Sequence, residues 1–126
     1  EELTSSVKAI EEITGKKVTL FRPPFGDYND RLITVAEKLG LNTVQWSVDS
    51  LDWKNLSAEE IATRVVKKAK SGSIILMHNN GLHTLESLPL IFAATQQKGL
   101  VYRPIGELIY TDDYKILPDG TQIKTN

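Results

Sequence analysis

The apolar residues Leu3, Val7, Ile10 and Ile13 recur at helical spacing, and Gly15 then offers a left-handed stop. The chain is therefore expected to open in a helix. Val18-Thr19-Leu20-Phe21 is a short β-branched and aromatic run, closed by Arg22-Pro23-Pro24, where proline cannot donate to a ladder; this predicts a strand followed by a loop. Asn29 or Asp30 can cap a second helix through Leu39, ended by Gly40, and residues 42–47, with Thr43, Val44 and Trp46, suit a second strand. Ser57 and Glu60 spell a capping box for a helix to about Lys70, after which Gly72 leads into an apolar strand over residues 73–77. Thr84 can cap a helix to Lys98, Gly99 ends it, and residues 100–103 form a fourth short strand. Residues 105–109 suit one more helical turn. From Tyr110 on, around Pro118-Asp119-Gly120, the pattern reads as turn and fraying end.

Strands alternating with helices of about 10 to 15 residues imply βαβ units, a parallel sheet and an α/β fold. Ile74 to Met77 is apolar without alternation, as a strand covered on both faces should be. Four βα units could make a small open sheet or half of a (β/α) barrel.

Composition narrows the partners. With 126 residues, 40% of them hydrophobic and 25% charged, the chain falls in the ordinary globular range, and one compact unit is expected. The formal net charge of −1 gives no electrostatic pull toward nucleic acid, and the densest basic run, Lys67-Lys68 with Lys70, lies in a helical pattern as a solvated face. The absence of cysteine removes thiolate–metal sites, so a metal here would need His and carboxylate ligands. No stretch approaches the roughly 20 apolar residues of a membrane span. The first residues, Glu1-Glu2-Leu3-Thr4-Ser5, lack the basic start and apolar core of a signal peptide, so any targeting segment is expected upstream.

Each unusual polar cluster follows a strand end: Arg22-Pro23-Pro24-Phe25-Gly26, Asp49-Ser50-Leu51-Asp52-Trp53 and His78-Asn79-Asn80-Gly81. In parallel α/β folds that edge carries the active site, so these groups are expected on one rim. Taken singly, each has a plain structural reading. His78 could cap a buried strand, Asp52 and Trp53 could be a turn acid and an exposed aromatic, and Arg22 could be half of a surface ion pair. The Arg-Pro-Pro-Phe-Gly run resists such a reading, because two prolines fix the backbone and a glycine releases it, which makes a loop rigid enough to aim a peptide N–H.

Taken together, in this order and at these intervals, the Arg22 to Gly26 run, the Asp49 to Trp53 run and Ile75-Leu76-Met77-His78 resemble the third, fourth and fifth motifs of the NodB-homology polysaccharide deacetylases, carbohydrate esterase family 4. The resemblance implies the C-terminal half of a distorted (β/α) barrel over residues 1–110, followed by a polar C-terminal tail over 111–126. It also implies a first motif with a base Asp beside a metal-binding Asp, and a second with two metal-binding His residues. Neither motif is present: the only Asp-Asp pair, Asp112-Asp113, lies in the tail, and His78 and His83 are five apart with Gly81 between them. Truncation accounts for this better than degeneration. No metal ligand is therefore expected in this chain. The family's divalent metal, expected to be zinc, would be held by the missing N-terminal half of the same domain, where it would activate the attacking water.

By the same resemblance, the reaction removes acetyl groups from an N-acetylated polysaccharide such as peptidoglycan or chitin. The backbone N–H of Phe25 would receive the tetrahedral oxyanion, at a position where most relatives carry Tyr. His78 would be the catalytic acid that protonates the leaving amine, with Asp52 holding its ring and favouring its charged form. Arg22 would pair with the base Asp of the missing half. Leu76 would contact the acetyl methyl, with Trp53 and Pro24 completing the substrate-binding wall. Asp49 is read as structural, His83 as a surface or capping histidine, and Tyr102 and Tyr110 as packing residues rather than sugar platforms. The partners implied are a carbohydrate polymer and the N-terminal half, with no nucleic acid and no membrane span, in the extracellular space or cell envelope of a bacterium. The alternative is a non-catalytic glycan- or protein-binding module on a degenerate barrel, which predicts loss of the acid residue. A receiver fold or serine hydrolase fits less well, lacking respectively an acidic pair after the first strand and a Gly-x-Ser-x-Gly elbow.

Overall fold

The leading apolar stripe forms α1 (Glu2–Thr14), and Gly15 at φ 65° closes it by donating its N–H to Glu11 O at 2.9 Å. The structure is a computed structural model describing residues 1–125. The chain divides into two units, residues 1–45 together with the described residues from Tyr110 onward, and Trp46–Ile109.

In the first unit, α1 is followed by β1 (Leu20–Phe21), α2 (Asp30–Lys38) and β2 (Asn42–Thr43). Asn29 caps α2, its side chain accepting from the Leu32 N–H at 2.9 Å. The strands pair in parallel, Leu20 opposite Asn42 and Phe21 opposite Thr43. Ala36, Leu41 and Val44 are buried. The end of the chain corrects the fraying-tail expectation: β5 (Tyr114–Ile116) and β6 (Gln122–Lys124) form an antiparallel hairpin. The Pro-Asp-Gly turn is what joins them. Gly120 takes φ 84° and donates to Leu117 O at 2.9 Å, and the Asp119 carboxylate accepts the Thr121 N–H.

The second unit contains β3 (Val48–Asp49), α3 (Ala58–Lys68), β4 (Ile75–Leu76), α4 (Thr84–Gln97) and α5 (Ile105–Leu108). β3 and β4 are parallel, with Val48 opposite Ile75 and Asp49 opposite Leu76. The capping box forms as the sequence spells it, Ser57 Oγ accepting from the Glu60 N–H and the Glu60 carboxylate from the Ser57 N–H. α3 packs on α4 and on β3, and the core comprises Val48, Ile61, Ala62, Val65 and Ile91, flanked by Leu56, Ile75 and Met77. Each fully buried aliphatic side chain there contributes about 1.5 to 3 kcal/mol. Lys98 reaches back to the carbonyls of Val66 and Ala69 at 2.8 and 2.7 Å, satisfying the end of α3.

The α/β class and the parallel pairing are present, with smaller strands than expected. The strand at 42–47 is interrupted: β2 pairs with β1, and β3, further on, pairs with β4, so the described residues carry three two-stranded sheets. Residues 100–103 form no ladder, because nothing among the described residues pairs with them and Val101 is 82% exposed. No described helix is long and apolar enough to cross a membrane.

Candidate active site

The second unit brings two of the expected residues into contact. β4 ends at Leu76 and delivers His78, while the loop after β3 turns inward at Leu51, whose φ of 56° is a left-handed conformation that costs a non-glycine residue about 1 to 2 kcal/mol. The Asp49 carboxylate stabilises this turn by accepting the Leu51 N–H at 3.0 Å, and Arg64 on α3 donates Nε to Asp49 O at 2.9 Å. Both bonds tie Asp49 into the loop and to α3. The turn places Asp52 wholly out of solvent.

A buried carboxylate must be hydrogen-bonded or it cannot stay charged. Asp52 accepts the His78 N–H on Oδ2 at 2.8 Å and the His78 ring on Oδ1 at 2.7 Å, while the Thr84 hydroxyl donates to Oδ2 at 2.7 Å. Burial pushes this carboxyl up. The His78 backbone bond, then the Thr84 hydroxyl, the His78 ring and the Ser50 hydroxyl outweigh it and hold Asp52 below the ordinary carboxylate value. With Nδ1 donating to Asp52, Nε2 of His78 has no partner among the described residues, and the imidazole is 32% exposed. The arrangement fixes the ring from behind and leaves its far nitrogen open for proton transfer.

Leu76 is buried two residues before His78, and Trp53 is 51% exposed with the Lys54 ammonium 5.1 Å from its ring centroid. His83 precedes α4 with its ring 3.1 Å from the Glu86 carboxylate, a solvated pair. Tyr102 packs edge-on against Phe92 at 4.9 Å and hydrogen-bonds Thr95, a packing role. Shallow depressions of about 570 and 600 Å³ flank α3; neither is lined by Asp52 or His78.

In the first unit, the loop after β1 carries Arg22, Pro24 and Phe25. Pro23 is buried, Phe25 and Gly26 take φ 58° and 69°, and the Asp27 N–H closes the turn on Pro24 O at 3.1 Å. The Gly26 N–H goes to Pro23 O at 3.1 Å, and the Phe25 N–H has no acceptor among the described residues. Gln45 clamps the loop, its Nε2 donating to Gly26 O at 3.0 Å. Phe25 itself is fully exposed. Among the described residues there is no group of three or more His, Asp or Glu side chains that could hold a metal ion.

Sequence reasoning missed Thr84, Ser50 and Gln45. The sequence suggests Thr84 as a helix cap, but it is the first residue of α4, with His83 before it, and its hydroxyl serves Asp52 instead. A threonine near a helix start carries no signal that separates these uses.

A family model described as polysaccharide deacetylase matches residues 1–44, ending before Asp52. A peptidoglycan-N-acetylglucosamine deacetylase of Bacillus cereus is 38% identical over 99 residues, covering 75% of this chain and 46% of the relative. A family 4 carbohydrate esterase from Streptomyces lividans, solved with acetate, superposes with a TM-score of 0.73 at 33% identity, covering 98% of this chain and 58% of that one. A family 4 pseudoenzyme from Bacillus anthracis superposes with a TM-score of 0.80 at 32% identity, covering 84% of this chain and 37% of that one. The chain thus spans less than half of the Bacillus cereus relative and little more than half of the Streptomyces structure.

Proposed function

Because the chain belongs to the polysaccharide deacetylase family, carbohydrate esterase family 4, we propose that it supplies the catalytic-acid and oxyanion half of a hydrolase that removes acetyl groups from an N-acetylated cell-envelope polysaccharide. The observation that carries this reading is the buried Asp52 bound to His78 Nδ1 at 2.7 Å, with Nε2 left open. Protonated on both nitrogens, His78 would give its Nε2 proton to the departing amine, which otherwise leaves poorly; such general acid catalysis contributes typically about 10² to 10⁴ in rate. The free Phe25 N–H, held by the Pro-Pro turn and the Gln45 clamp, would donate to the oxyanion. Phe25 keeps that backbone donor while lacking the hydroxyl of a tyrosine. Leu76, Trp53 and Pro24 would line the acetyl and sugar contacts, and Arg22 would orient the base carboxylate of the preceding half.

The divalent metal of the complete enzyme, with zinc the expected ion, would be held by that preceding half, the N-terminal part of a barrel that residues 1–110 complete. The site of action would be the extracellular face or envelope of a bacterium. The second reading, a non-catalytic glycan- or protein-binding module, draws support from the likeness to the Bacillus anthracis pseudoenzyme. Against it stands the intact Asp52–His78 pair.

The test is release of acetate from an N-acetylglucosamine oligomer. The 126-residue chain alone should give none even with added zinc, and co-expression with the preceding half should restore metal-dependent release. Turnover by the chain alone would overturn the two-half reading. Metal binding without turnover in the completed domain would favour the binding module.

A further inference from the structure

The Asp52 carboxylate has an unequal load. Oδ1 holds the His78 ring, whereas Oδ2 holds two donors, the His78 N–H at 2.8 Å and the Thr84 hydroxyl at 2.7 Å. The Thr84 bond comes from a different element, the first turn of the 14-residue α4, and so ties the carboxylate to a body that the β4 end does not itself contain. α4 is held at that point from within, since the buried Ser87 hydroxyl donates to Thr84 O at 2.8 Å. The loop between His78 and α4 passes so close that a Cβ on Gly81 would collide with the Thr84 hydroxyl oxygen and lie 2.9 Å from Asp52 O and 3.2 Å from Asp52 C. A backbone contact that close cannot be relieved by turning a side chain. The position has no room for any residue but glycine while Thr84 and Asp52 stay bonded.

We propose that Thr84 and Gly81 are positioning residues for His78: the Thr84 hydroxyl pins Asp52 Oδ2 so that Oδ1 faces the ring, and Gly81 leaves the space that this hydroxyl occupies. The inference rests on the reading of His78 as the proton donor. Without the Thr84 bond, the carboxylate keeps its two His78 bonds but loses its tie to α4, so it can tilt about its Cβ–Cγ bond away from the ring. The ring then loses its reason to carry the neutral-state proton on Nδ1, since a solvated imidazole prefers it on Nε2. Neither residue touches the reacting atoms; both act through Asp52.

The chain has two histidines, so ring-nitrogen NMR gives one signal set for His78 and one for the exposed His83, which serves as an internal reference. In the unsubstituted chain the neutral His78 ring should carry its proton on Nδ1. Thr84→Val, which keeps the shape and deletes the donor, should lower the Nδ1–H to Nε2–H ratio by about fivefold, less than the full loss of one hydrogen bond to a charged group because the His78 bonds to Asp52 remain. Thr84→Ser should hold the ratio within about twofold, and Gly81→Ala should reproduce Thr84→Val with Thr84 still present. Should Thr84→Val fail to fold by circular dichroism, Thr84→Ala and Gly81→Ala carry the same expectation. An unchanged ratio in the donor-deleting variants, or a collapse in Thr84→Ser equal to that in Thr84→Val, overturns the proposal. In the completed enzyme Thr84→Val should lower kcat about tenfold at unchanged KM, with Thr84→Ser restoring it. The ring readout needs neither substrate nor metal: a responding ring in a completed enzyme that never releases acetate would sink the deacetylase reading alone, and an unresponsive ring in an active completed enzyme would sink the positioning proposal alone.

Discussion

Replacing Asp52 by alanine removes the acceptor for three donors at once: the His78 N–H, the His78 ring and the Thr84 hydroxyl. The Thr84 hydroxyl can turn, and the ring, 32% exposed, can partly rewet. The His78 amide cannot move without its strand. An orphaned buried donor costs about 1 to 3 kcal/mol, and bonds to a charged group contribute about 1.5 to 3 kcal/mol, so Asp52→Ala should destabilise the second unit by about 3 kcal/mol at neutral pH. Asp52→Asn preserves volume but sets an amide donor against donors, and should cost about 2 kcal/mol. The pH dependence has a definite sign. The carboxyl of Asp52 is held below 3.8 in the folded chain, so its contribution is complete above that value and is lost as pH falls through the lower folded value. The gap between the parent chain and Asp52→Ala should therefore be widest at about pH 7 and shrink at about pH 2.5. Urea unfolding followed by far-ultraviolet circular dichroism, at low chain concentration, measures it. A gap below about 0.5 kcal/mol at neutral pH, or one of the same size at both pH values, would refute the ionised, three-donor network.

Two further substitutions test the local physics. Phe25 is fully exposed at φ 58°, so Phe25→Gly loses no packing and relieves a left-handed strain of about 1 to 2 kcal/mol, partly offset by unfolded-chain entropy; a net gain of about 0.5 to 1 kcal/mol is expected in the same unfolding assay, and a loss would mean the aromatic ring is engaged in solution. Ser57→Ala removes the hydroxyl that accepts the Glu60 N–H, leaving only the backbone N–H of position 57 on the Glu60 carboxylate, and should cost about 1 kcal/mol, with no cost if the helix start is frayed.

The parts of the molecule set by local chemistry were legible in the sequence. Gly15, Asn29 and the Ser57–Glu60 pair terminate and start their helices as read, because a cap depends on residues within a few positions of one another. The Asp52–His78 contact was legible only through the resemblance, since nothing local ties residues 26 apart. Strand lengths were not legible. Residues 100–103 have strand composition, yet a ladder requires a neighbour, and β propensity measures fit to such a neighbour rather than an intrinsic state. The hairpin of β5 and β6 was hidden by its polar composition, although its Pro-Asp-Gly turn was correctly placed. The use of Thr84 is not legible because a helix-start threonine has two available partners, its own backbone and Asp52, and its hydroxyl bonds the second where Gly81 passes close by.

The central claim, that His78 held by Asp52 is the proton donor of a deacetylase, is tested most directly by the turnover of His78→Ala in the completed enzyme, with metal content determined on the same preparation. Acetate release from an N-acetylglucosamine oligomer should show kcat lowered by roughly two to four orders of magnitude, with the metal fully retained. Loss of the metal along with the activity would make His78 a ligand, and a kcat within about threefold of the parent would remove it from the reaction altogether.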